Sequence, residues 1–250
     1  MLALGLSLLT VLGLFTGCSP KAETASGSDS LKIVATIFPE YDWVRQVLGD
    51  RAGEVQLTLL LDSGTDLHSY QPTAADMLTI GECDLFLYNG GESDAWVERV
   101  LATAANPDRR TLSVMEVLGD SVLEEEVVEG MQEAEDHDHA EGEAHEEEAD
   151  EHVWLSLRNA RTACAEIARV LGELDPDHAA EYQTNAENYM AELEALDGEY
   201  AALAENAARR TVLVGDRFPF RYLMDDYGLE YYAAFSGCSA ENEASFETIA

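Results

Sequence analysis

Apolar and polar positions follow two alternating rhythms along this chain. Short runs of aliphatic and β-branched residues give way to segments in which apolar positions recur every three or four residues. The run Lys32-Ile33-Val34-Ala35-Thr36-Ile37-Phe38 predicts a strand, and Pro39 opens a helix through Leu48 that Gly49 ends. A second strand is expected over 55–61, then a polar loop over 62–71, then a helix begun by Pro72 and Thr73 and running to about Ile80. The run 84–88 predicts a third strand, stopped by Asn89-Gly90-Gly91. Ser93 is placed to cap a helix to about Ala104, and 110–114 predicts a fourth strand. Strands that alternate with helices argue for a parallel sheet covered on both faces.

The rhythm stops over 124–151, a low-complexity tract of Glu, Asp and His with no apolar period, expected to be a mobile loop. Order resumes at His152-Val153-Trp154-Leu155, with a helix over about 157–171. After Asp175-Pro176 comes a long helical stretch to about Ala208, with Tyr182, Tyr189, Met190, Leu193, Leu196, Tyr200 and Leu203 near helical spacing. Such a helix measures roughly 50 Å at 1.5 Å per residue, enough to run the length of a two-lobed protein. A strand from Thr211, a helix over 221–227, a strand over 231–235 and a helix begun at Glu243 follow. The predicted fold is therefore α/β: two lobes with parallel sheets flanked by helices, joined by a long helix, the second lobe reading as truncated. The division expected is a leader over 1–17, a tether over 18–30, a first lobe over 31–172 carrying the acidic loop 120–151, a linking helix over 173–208, and a partial second lobe over 209–250.

Charge narrows the function. Fifty Asp and Glu residues against fourteen Lys and Arg give a net charge of −36, which repels nucleic acid and anionic lipid headgroups and concentrates cations. The four cysteines, Cys18, Cys83, Cys164 and Cys238, form no Cys-x-x-Cys pair, so neither a zinc ribbon nor a thioredoxin-like motif is present.

The first sixteen residues are almost wholly apolar, a run shorter than the about 20 residues of a membrane span. They lead to Leu14-Phe15-Thr16-Gly17-Cys18-Ser19, which resembles a lipobox, with cleavage before Cys18 and lipid on its sulfur. No Lys or Arg precedes the run, so the chain is expected to start inside a longer leader. Residues 19–30 read as a polar tether.

Three of the six histidines, His137, His139 and His145, lie in the acidic tract, where imidazole among carboxylates suits borderline metals such as zinc. Ordering such a tract costs entropy, so it is expected to collect metal rather than hold it in a finished site. His68 falls in the loop after a parallel strand, at the edge where α/β folds bind ligands. His152 ends the acidic tract against apolar neighbours, which anchor it on the folded body. Both positions also suit ordinary structural histidines.

The segment from Ser63 to Asp76, which carries Gly64, His68, Tyr70, Pro72, Thr73 and Asp76, resembles a motif of the metal-binding solute receptors of ABC importers. The acidic His-rich loop before His152-Val153-Trp154-Leu155 is similar to the zinc branch of that family, as is the phrase Phe220-Arg221-Tyr222-Leu223 leading to Tyr227-Gly228-Leu229. The resemblance implies a metal held between the lobes by two first-lobe histidines, matching His68 and His152. It also implies a third ligand three residues before the phenylalanine that matches Phe220. That position is Arg217, whose guanidinium has no lone pair to give. Replacement ligands open to the chain are Asp216, Cys238, Glu241 and Glu243; Asp216 equally suits a cap or a partner of Arg217. The turn Gly90-Gly91-Glu92-Ser93-Asp94 and the three tryptophans are assigned to packing and capping.

The expected function is that of an extracytoplasmic, lipid-anchored monomer that captures Zn²⁺, with Mn²⁺ or iron as the alternative ion, and delivers it to an ABC permease. His68 and His152 bind as neutral imidazoles, so acid should release the metal. Other readings are a surface metal buffer or adhesin using only the loop, and a receptor that binds another solute through Arg217 and an anion. An enzyme is disfavoured by the lack of His-Glu-x-x-His, Gly-x-Ser-x-Gly or a phosphate-cradling loop.

Overall fold

The structure, a computed structural model, describes residues 30–62, 64–102, 105–128, 131 and 148–237. Strands β1 (Lys32–Ala35), β2 (Gln56–Leu59), β3 (Leu85–Tyr88) and β4 (Arg110–Ser113) form a sheet in the order β2-β1-β3-β4. Every pair in it is parallel, with Ile33 level with Leu57 and Leu85. The central strands are apolar without interruption because both faces are covered. Successive side chains point to opposite faces. Ile33, Ala35, Leu85 and Leu87 therefore enter one core, while Val34 and Phe86 enter another.

The larger core lies under α1 (Phe38–Leu48), α5 (Leu157–Leu174) and α6 (Ala179–Glu205), and the smaller one under α2 (Ala74–Glu82) and α3 (Val97–Leu101). In α5, Ala160, Ala163, Cys164, Ile167 and Leu171 recur at helical spacing and are buried, and Ser156 caps the helix by accepting the Asn159 amide at 3.2 Å. Cys83 and Cys164 are buried free thiols in different cores, and burial pushes both up to about 12.

A second parallel sheet pairs β5 (Thr211–Phe218) with β6 (Glu230–Ser236) around α7 (Arg221–Tyr227). The two lobes and long helix match the sequence expectation, with local differences. The long helix has 27 residues, or about 40 Å, because the turn after Asp175 is a separate 3-10 turn and the helix ends at Asn206. β5 runs four residues past Val214, through a register shift that carries Gly215 and Asp216. A short helix α4 (Val114–Leu118), capped by Ser113, follows β4 without warning from periodicity, since one turn is too short to show a period. Ser93 does not cap α3: that helix starts at Val97, and the Ser93 side chain is engaged elsewhere. Among the described residues no helix is long and apolar enough to cross a membrane.

Candidate metal site

His68 stands past the carboxyl end of β2, in a 3-10 turn Leu67–Ser69. The Asp66 side chain accepts the His68 amide at 3.0 Å, and buried Leu67 roots the turn in the smaller core. Two residues on, the Tyr70 hydroxyl donates to Asp76 at 3.0 Å, and its ring meets Trp96 edge-on at 5.6 Å. Asp76 also accepts the Thr73 amide at 2.8 Å while Thr73 accepts the Asp76 amide at 3.2 Å, a reciprocal cap on α2. The Tyr70–Thr73–Asp76 pattern thus holds His68 from behind.

His152 arrives from the other end of the chain. An antiparallel bridge between Glu124 and Ala149 closes the base of the acidic tract. The Tyr222 hydroxyl of α7 accepts the Leu123 amide at 3.0 Å and donates to the Asp150 carbonyl at 2.7 Å, joining both arms of that base to the second lobe. Asp150 then turns its carboxylate onto His152, 2.8 Å from the backbone amide and 2.9 Å from Nδ1.

Between these residues lies Glu151, with a side chain only 3 % exposed. Its Oε1 accepts the Ser93 amide at 2.8 Å, and its Oε2 accepts the Ser93 hydroxyl. His68 Nδ1 stands 2.9 Å from Ser93 Oγ and 3.5 Å from Glu151 Oε2. The hydrogen bond to Glu151 raises the His68 pKa; burial and the nearby Arg217 oppose the rise. Burial would raise Glu151, but the hydrogen bonds from His68 and Ser93 outweigh it and hold the acid below its usual range. Glu151 fits only because residue 91 is glycine. A Cβ there would stand 2.3 Å from Oε1, and the backbone at φ 83°, ψ −169° is a region open essentially to glycine alone.

Each histidine therefore has Nδ1 turned to an acid-backed acceptor. An acceptor facing Nδ1 favours the neutral tautomer with its proton there, which leaves the Nε2 lone pair to a ligand. The ring centres are 5.3 Å apart and inclined by 54°. Two imidazoles on one tetrahedral ion with Zn–N of about 2.0–2.1 Å would have centres roughly 5 Å apart, a spacing this pair matches.

The rings line a cleft of about 500 Å³ that second-lobe residues Asp216, Arg217, Pro219, Phe220 and Gly237 close from across. Gly237 comes so near that a Cβ would lie 2.8 Å from His152 Cε1 and 3.0 Å from the Phe218 carbonyl oxygen. Arg217 reaches over the cleft to Asp66 at 3.6 Å. Asp216 lines the cleft, and its carboxylate accepts the Arg217 amide at 2.8 Å. Among the described residues, no three His, Cys, Asp or Glu side chains converge as a complete metal cage. Of the residues the sequence singled out, His68, His152 and Asp216 share the cleft. Cys18, His137, His139, His145, Cys238, Glu241 and Glu243 lie outside the described residues.

The family model described as "ZnuA: Zinc-uptake complex component A periplasmic" matches residues 33–250. The chain belongs to this family. The ZnuA-family relatives include the zinc-binding lipoprotein AdcA of Streptococcus pneumoniae, 34% identical over 250 residues, all of this chain and 47% of AdcA. They also include the high-affinity zinc uptake system protein ZnuA of Bacillus subtilis, 30% identical over 93% of this chain and 69% of that protein. The chain thus spans about half the length of AdcA. Among solved structures, the Zn(II)-bound ZnuA-like domain of S. pneumoniae AdcA superposes with a TM-score of 0.66 at 29% identity, covering 87% of this chain and 71% of that one.

Within this ZnuA-family chain, sequence reasoning missed Glu151, Asp150, Ser93, Gly91 and Tyr222. The turn 90–94, expected only to pack and cap, is the seat of the acid that orients His68. The adjacency Asp150-Glu151-His152 was the available signal, since metal-binding histidines commonly carry a carboxylate on the second ring nitrogen.

Proposed function

We propose that this protein is an extracytoplasmic zinc receptor that captures Zn²⁺ in the cleft between its lobes and presents it to the permease of an ABC importer. The observation that carries the reading is the pair of imidazoles, each with an acid-backed Nδ1, standing 5.3 Å apart on one wall of an interlobe cleft. The two lobes, 31–172 and 209–250, are rigidly spaced by the helix within 173–208. The zinc-binding names of the relatives support the same ion. His137, His139 and His145 collect metal near the surface and pass it to His68 and His152. Cys18 carries the lipid anchor, the receptor works as a monomer, and it binds without catalysing a reaction.

The test is a zinc titration, in competition with a chromophoric chelator, of a soluble form beginning at Ser19 with 129–149 replaced by a Gly/Ser linker. The reading expects one-to-one binding that falls at least about 100-fold when His68 and His152 are both changed to Ala, since zinc then loses both nitrogen ligands. Loss of all tight binding on loop replacement alone would favour the metal-buffer reading instead.

A further inference from the structure

The base of the acidic tract crosses from one lobe to the other. The Glu125 amide donates to the Glu148 carbonyl at 2.7 Å and the Asp150 amide to the Leu123 carbonyl at 2.8 Å, so the arms 123–125 and 148–150 are tied into one piece. The second lobe grips that piece from across the boundary. Arg221, at the start of α7, pairs with Glu126, and the Tyr231 hydroxyl on β6 donates to the same carboxylate oxygen at 3.2 Å. Met131 packs against the second-lobe core of Phe218, Met224 and Ala233. The Arg221 side chain is 20% exposed, so the pair is partly withdrawn from water and from screening by salt. The grip reaches the metal site through Asp150. That residue ends the second arm, and its carboxylate faces His152 Nδ1 at 2.9 Å. Gly237, just past β6, comes close to the same ring and lines a small crevice with Glu126, Asp150, Arg221 and Tyr231.

We propose that Glu126, Arg221 and Tyr231 form an interlobe latch that holds Asp150, and through it the His152 ring, in place over the cleft, so that the latch sets how fast zinc leaves. The inference rests on the zinc-receptor reading above. The three are positioning residues: a ring oriented by a carboxylate is held only as well as that carboxylate is held. The Tyr222 hydroxyl holds the Asp150 carbonyl directly at 2.7 Å, and the latch holds the partner arm, so the second lobe restrains both arms. A second interlobe ion pair offers a comparison. Arg158 of α5 donates to the Asp226 carbonyl at 3.0 Å and stands 3.2 Å from the Asp226 carboxylate, joining the lobes at the opposite end of α7 from Arg221.

The experiment is stopped-flow release of zinc from the full-length protein, loaded with one equivalent and chased with a chromophoric chelator at constant pH. The cleft phase is the one that His68→Ala/His152→Ala lacks. Glu126→Gln and Arg221→Gln should each speed that phase about 3–10-fold, less than the about 10–100-fold effect of removing a direct partner of a metal ligand. The double variant should be no faster than the quicker single, because both substitutions remove one interaction. Glu126 is 49% exposed, so its variant keeps the fold and carries the test if Arg221→Gln fails to fold. Arg158→Gln should leave the cleft phase within about 2-fold of the parent. An unchanged cleft phase in Glu126→Gln overturns the proposal, as do fully additive effects of the two latch substitutions. An equal acceleration in Arg158→Gln also overturns it, since general loosening between the lobes would then be the cause. If the parent shows no phase distinct from His68→Ala/His152→Ala, the receptor reading itself has failed. If the parent shows that phase and Glu126→Gln leaves it unchanged, only the latch has failed.

Discussion

Gly91→Ala puts the supporting structure of the site under the most direct test. The added methyl would stand 2.3 Å from Glu151 Oε1 and 2.8 Å from both Cδ and Cγ, so the acid must leave its seat. The backbone, at φ 83° and ψ −169°, adds strain of about 1–3 kcal/mol for any residue with a Cβ. Displacing Glu151 breaks its bonds from the Ser93 amide and hydroxyl and its contact with His68, each charge-assisted bond being worth about 1.5–3 kcal/mol. The expected loss is about 3–6 kcal/mol, or roughly 10–20 °C in Tm for a protein of this size. Zinc affinity should fall about 10–100-fold, the usual effect of removing a partner that orients a metal ligand. Gly64→Ala separates strain from collision: φ is 82°, but nothing lies within 4 Å of the new methyl. Differential scanning calorimetry and zinc competition titration on both variants decide the matter. A Gly91→Ala protein within about 1 kcal/mol of the parent and with an unchanged Kd would refute the seat argument, as would equal losses in both variants.

Other consequences are equally open to measurement. Zinc retention should fall with acidity, starting above the ordinary histidine range because the hydrogen bond to Glu151 raises His68; Glu151→Gln should move the onset to lower pH in a titration with a pH-insensitive competitor. In the metal-free protein, the raised His68 contributes stability below its unfolded value that fades as pH rises through its folded one. The depressed Glu151 contributes above its unfolded value, so the pair is strongest between about pH 4.5 and 6.5, and Glu151→Gln should flatten that window in urea unfolding. Glu40, fully buried and accepting the Thr36 amide at 3.0 Å, is pushed up to about 8 by burial and then by Asp94. Its stabilising effect is complete below about pH 4.5 and lost as pH rises through about 8, so Glu40→Gln should remove a slope of up to roughly 4–5 kcal/mol from the stability curve. Tyr222→Phe strips the Asp150 carbonyl and Leu123 amide of a buried partner and should cost about 1–3 kcal/mol by thermal unfolding while loosening the base of the acidic tract.

The residues themselves determined a good deal of this protein. Continuous apolar runs such as Ile33-Val34-Ala35 and Leu85-Phe86-Leu87 announce a doubly covered parallel sheet, because a run apolar at every position needs no distant partner to be read. The long helix, the acidic His-rich tract and the two histidines at sheet-edge and tract-end positions were legible for the same reason. Tertiary structure alone decided how those histidines are brought together and held. His68 and His152 are 84 residues apart in the chain, and the Glu151 that supports His68 comes from the His152 segment. No local pattern reports such a crossed arrangement. The need for glycine at 91 is a fact about Glu151, and the need for glycine at 237 is a fact about the His152 ring; both arise from close packing between distant segments. Arg217 shows the same division: its identity states that it gives no lone pair, and only the fold sets its charge across the cleft from His68, beside Asp66.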